Sequence, residues 1–97
     1  MEIRITGSGI HVDSALDAYV KRRIHFALGL LSSRVQRVSM DLSQENGPNG
    51  GTGKSCHSRI RLLGLPTVFV KQTYFDVRAA FDRAVNRIGC ALAIGLL

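Results

Sequence analysis

Three features of this chain carry residue types that could do chemistry. Gly50-Gly51-Thr52-Gly53-Lys54-Ser55 has the glycines and the Lys-Ser pair of a phosphate loop. The required spacing is G-x-x-x-x-G-K-[ST], and Pro48 stands where the first glycine should be. The residues that follow alternate like a strand, whereas a phosphate cradle needs a helix N-terminus there. The stretch reads as a hairpin loop in which Lys54 lends charge to a partner. Cys56-His57 offers two metal-ligating types, but neighbouring strand residues point to opposite faces and no second ligand pair exists. Cys56 reads as a small core residue, while Cys90 falls near the edge of a helix and is a candidate reactive thiol. His11, His25 and His57 have no Ser or Cys partner in a nucleophile–base motif, and the carboxylates are scattered. The expectation is no catalytic residue, no metal, no cofactor and no enzyme.

The cations are a stronger signal. Thirteen Lys and Arg stand against seven Asp and Glu, giving a formal charge of +6 and a pI near 10.2. Most are Arg, whose planar fork presents paired donors to phosphate. The bland alternative is a basic domain with a solvated surface and no polyanion partner. Lys21-Arg22-Arg23 has a solvated helix face as its simplest account. Arg78, Arg83 and Arg87 share a second helix, where Arg78 can pair with Asp82 four residues on. Arg59, Arg61 and Lys71 are the least explained by local pairing. With Phe69 close by, they suit phosphate contact plus base or ribose stacking, with little sequence preference.

The elements that must position these residues follow from periodicity. Val77, Ala80, Phe81, Ala84, Val85, Ile88 and Leu92 form a helical stripe, with Asp76 placed as its N-cap. A first helix after Asp13 carries Leu16, Tyr19, Val20, Ile24, Ala27, Leu28 and Leu31, and Gly29 weakens its last turn. Strands alternate around Ile3 and Ile5, around Val38, Met40 and Leu42, from Cys56 to Leu62, and around Val68 and Val70. Gln44 to Gly53 reads as a turn-rich loop.

The order β-α-β-β-β-α predicts an α+β, two-layer sandwich: a four-stranded sheet with two helices on one face, over a single domain of residues 1–97. The uncovered face would collect Arg4, Arg37, His57, Arg59, Arg61, Phe69 and Lys71 against only Glu2 and Asp41. Like charges gathered across neighbouring strands repel, and a counter-anion relieves them. Two cysteines are too few for a secreted disulfide framework, and Glu2 and Arg4 interrupt any signal-peptide pattern. The most apolar run, Ile88 to Leu97, is about half of a bilayer span. A cytoplasmic setting without membrane contact is expected.

Ile5-Thr6-Gly7, Ala15-Leu16 with Tyr19-Val20, and Asp76 with Ala79-Ala80 and Asp82 resemble the ribosome hibernation promoting factor and ribosome-associated inhibitor family, in its short, sigma-54-modulation-like form. The likeness covers nearly the whole chain through the order and spacing of these motifs. It implies a fold similar to double-stranded-RNA-binding domains with an added first strand. It also implies a non-enzymatic factor that binds the small ribosomal subunit and its rRNA, in the channel of messenger and transfer RNA. Such a factor silences idle ribosomes under stress or in stationary phase. Arg23 and Arg87 stand where that family usually carries a basic helix residue.

The chain departs from the family pattern in its last helix, which ends Cys90-Ala91-Leu92-Ala93-Ile94-Gly95-Leu96-Leu97 instead of in a basic run. Val77 and Arg78 replace the usual Met and aromatic residue, and the glycine loop is longer. Two readings result. One is an RNA-binding translation factor using Arg23, Arg59, Arg61, Lys71, Arg83 and Arg87. The other is a diverged module of the same fold that no longer binds ribosomes and forms a homodimer through Leu92 and Ile94.

Overall fold

A computed structural model describes residues 1–46 and 52–96, with the side chains of 45, 46, 52 and 93–96 left undescribed. Strand β1 (Glu2–Ser8) is followed by helix α1 (Ser14–Leu28), which tightens into a 3₁₀ turn at Gly29–Leu31. Strands β2 (Val35–Asn46), β3 (Thr52–Leu62) and β4 (Val68–Tyr74) come next, and helix α2 (Val77–Leu96) closes the chain. The sheet runs β1-β2-β3-β4, with β1 parallel to β2 and the other pairs antiparallel. This is the expected α+β two-layer sandwich.

Both helices start where a carboxylate meets free backbone donors. Asp13 accepts from the Leu16 amide at 2.7 Å, and Asp76 from the Ala79 amide at 3.2 Å. Tight turns separate the elements. Gly9 and Gly64 both sit at φ +72, and a Cβ on Gly7 would lie 2.3 Å from the Ile10 carbonyl oxygen. Only glycine lets β1 end against the chain that turns back toward α1.

Alternation puts one row of each strand into the core. Ile3, Val38, Ile60 and Val68 align across the sheet, as do Ile5, Met40, Ser58 and Val70. On these rows lie Leu16, Val20, Ile24 and Leu28 of α1 and Ala80, Phe81, Ala84, Val85, Ile88 and Leu92 of α2. Ser58 is the polar member of its row, and its hydroxyl rests 3.0 Å from the Met40 sulfur. Burial raises the Cys56 thiol above its usual pKa, against a smaller opposite pull from Ser58.

Four expectations need correcting. Strands β2 and β3 reach Asn46 and Thr52, so residues 44–46 and 52–53 are strand rather than loop, and 47–51 lie outside the described residues. Ala27 is exposed, because Ile24 and Leu28 already complete the inward face of α1 in its last turn. Leu92 is 2% exposed and belongs to the protein's own core, so it offers no contact to a second copy. The side chain of Ile94 lies outside the described residues. Arg78 does not pair with Asp82; its guanidinium lies 4.7 Å from the centre of the Tyr19 ring.

Candidate nucleic-acid interface

His57, Arg59 and Arg61 of β3, Phe69 and Lys71 of β4 and their register neighbours form the sheet face that no helix covers. Cross-strand register arranges them in rows: Glu2, Arg37 and Arg61; then Arg4, Ser39, Arg59 and Phe69; then Thr6, Asp41, His57 and Lys71. The gathering of Arg59, Arg61 and Lys71 on one surface is thus a consequence of register.

The charges in this layer are unevenly compensated. Glu2 is shared between two arginines, at 2.8 Å from Arg4 Nε and 3.2 Å from Arg37 Nε. The Arg4 hydrogen bond, with Arg37 beside it, holds the Glu2 carboxyl below its ordinary pKa. Asp41 accepts from the Thr6 hydroxyl at 3.2 Å and stands in the row of His57 and Lys71. Arg59 has an aromatic neighbour, with its guanidinium carbon 5.7 Å from the centre of the Phe69 ring. Arg61 sits directly opposite Arg37 and forms no ion pair among the described residues. Two shallow depressions open on this face. One of about 540 Å³ is lined by Arg4, Thr6, Asp41, His57 and Lys71, and one of about 330 Å³ by Arg37, Arg61 and Thr67. Ser39, Arg59 and Phe69 border both.

The other three candidate residues lie in the helical layer. Arg23 points to the seam between the helices, 3.4 Å from an Asp82 oxygen. That carboxylate also accepts from the Tyr19 hydroxyl, which raises the Tyr19 pKa. Arg83 stacks 4.2 Å from the centre of the Tyr74 ring at the end of β4, and Arg87 follows exposed one turn later. The six cations therefore divide between opposite sides of the molecule. Sequence reading did not single out Ser39 or Thr67 as lining residues. Outward alternation on β2 would have found Ser39, but Thr67 precedes its strand and carries no such signal.

Among the described residues, no helix is long and apolar enough to cross a membrane, and no cluster of three or more metal-ligating side chains occurs.

A cationic, uncovered sheet backed by two helices defines a small α+β domain with one open basic face. The chain belongs to the family described as sigma 54 modulation protein / S30EA ribosomal protein, whose model matches residues 3–92. The fold is similar to that of a ribosomal subunit interface protein from Coxiella burnetii, with a TM-score of 0.82, 16% identity and coverage of 96% of this chain and 94% of that one. It is also similar to the N-terminal domain of Protein Y from Thermus thermophilus, with a TM-score of 0.75, 22% identity and coverage of 94% of each chain. No curated protein matches the sequence at a significant level.

Proposed function

We propose that this protein is a non-enzymatic, cytoplasmic factor that binds the rRNA of the small ribosomal subunit and inactivates or stabilises idle ribosomes under stress. It acts by occupancy, with no bond made or broken. The observation that carries this reading is the row-by-row assembly of Arg59, Arg61 and Lys71 on a sheet face left open by both helices. Guanidinium forks match the geometry of phosphate, and a polyanion relieves the Arg37–Arg61 repulsion. Family membership and the likeness to a ribosomal subunit interface protein support the same partner. Arg83 and Arg87 form a second cationic strip on the helical side. Arg23 is held by Asp82 and contributes less free charge.

Co-sedimentation with small ribosomal subunits at about 50 and 200 mM salt tests the proposal. Association should fall steeply as salt rises and be lost in the double variant Arg59→Glu, Arg61→Glu. Indifference to both changes overturns it.

A further inference from the structure

We propose that Arg59 and Phe69 form a stacking platform for one unpaired RNA base, with the cations on either side holding its flanking phosphates. This deepens the proposed function and rests on its reading of the open sheet as a nucleic-acid surface. Phe69 is 70% exposed on the outer strand of a polar face. A lone exposed aromatic is ordinary on a protein surface, but the surroundings of this one are specific. Its direct cross-strand neighbour is Arg59, whose guanidinium approaches the ring. The pair lies between the two depressions and borders both.

Strand geometry sets the spacing of the rest. Arg61 lies two residues from Arg59 along β3, and Lys71 lies two residues from Phe69 along β4. Because β3 and β4 are antiparallel, these cations fall on opposite sides of the Arg59–Phe69 row. Each is about 7 Å from it along the strand direction. The order is therefore cation, stacking pair, cation. A duplex presents phosphates, 2′-hydroxyls and base edges but keeps its base faces stacked inside, so the ring has no base to stack on. A single strand offers a base to the ring and phosphates to both cations at once, without a demand on base identity.

The test is fluorescence polarisation with the full chain, using a labelled single-stranded octaadenylate and a blunt RNA duplex of the same length. Phe69→Ala should weaken binding of the octamer about tenfold and leave duplex binding within about twofold. Phe69→Trp should restore the octamer, and Arg61→Ala should weaken both ligands. Phe69 is exposed, so its replacement leaves the fold intact, and circular dichroism checks this. Equal effects of Phe69→Ala on both ligands, no effect on either, or tighter binding of the duplex by the unaltered protein overturns the platform. Ribosome co-sedimentation of the same variants separates the two proposals. Salt-sensitive ribosome binding with no octamer preference removes only the platform. An intact Phe69-dependent octamer preference without ribosome binding removes only the ribosomal partner.

Discussion

Tyr19 donates its hydroxyl proton to the carboxylate of Asp82, with the two oxygens at 2.7 and 2.9 Å, and so joins helices whose residues here are 63 apart in sequence. Its ring also packs edge-on against Phe81, at a centroid distance of 6.0 Å, while Arg78 lies over it. One side chain therefore fixes the helix pair through a charge-assisted hydrogen bond, an aromatic contact and a cation–π contact.

Replacing Tyr19 with Phe should lower stability by about 1–2 kcal/mol, measured by urea unfolding near neutral pH. The hydrogen bond favours the neutral phenol, so the folded pKa lies above the ordinary value of 10.0. Stability from this group is fully present below that value. It is lost as pH rises from there through the folded pKa, because the unfolded chain gives up its proton first. From neutral pH to about pH 10 the advantage of the unaltered protein over Tyr19→Phe should be flat, and it should shrink above that.

Arg23 and Arg61 should separate in their salt dependence. Arg23→Ala breaks a half-exposed ion pair and should cost at most about 1 kcal/mol of stability. It should leave the slope of log affinity against log salt for RNA nearly unchanged. Arg61→Ala should leave stability alone and reduce that slope by about 0.7–0.9, the value of one phosphate contact. Titrations with RNA across a series of salt concentrations check both.

Leu92 should behave as a core residue. Leu92→Ala should destabilise the fold by about 2–5 kcal/mol in urea unfolding without altering the mass seen by light scattering. A domain of this size has about 5–15 kcal/mol in total. Leu92→Lys should then leave little folded protein at all.

The two cysteines differ in exposure, Cys56 buried and Cys90 exposed. An aromatic disulfide reagent should titrate one thiol rapidly in the native protein and both in denaturant. Cys90→Ser should abolish the rapid phase, because burial and a raised pKa keep Cys56 from forming thiolate.

What could be read from the chain was whatever repeats with a short period. Alternation around Val38, Met40 and Leu42 and the stripe from Val77 to Leu92 foretold the layers, and Asp13 and Asp76 marked both helix starts. The same alternation placed Arg59, Arg61 and Lys71 on one face. What could not be read depended on partners distant in sequence. Arg78 has an Asp four residues on, yet the ring of Tyr19 comes from the other helix and takes it. Arg23 reads as solvated until Asp82, 59 residues away, is brought beside it. Periodicity already put Leu92 on the inward stripe of α2, and its burial bears that reading out against the competing dimer contact.

The parallel pairing of β1 with β2 also has a kinetic consequence. Glu2 finds its register partner in Arg37, far along the chain, whereas β2, β3 and β4 each pair antiparallel with the strand next in sequence. Closing the longer loop costs more chain entropy and slows that pairing relative to the local ones. The three-strand meander can therefore zip up early, while the N-terminal strand arrives late, as the last plank of the sheet.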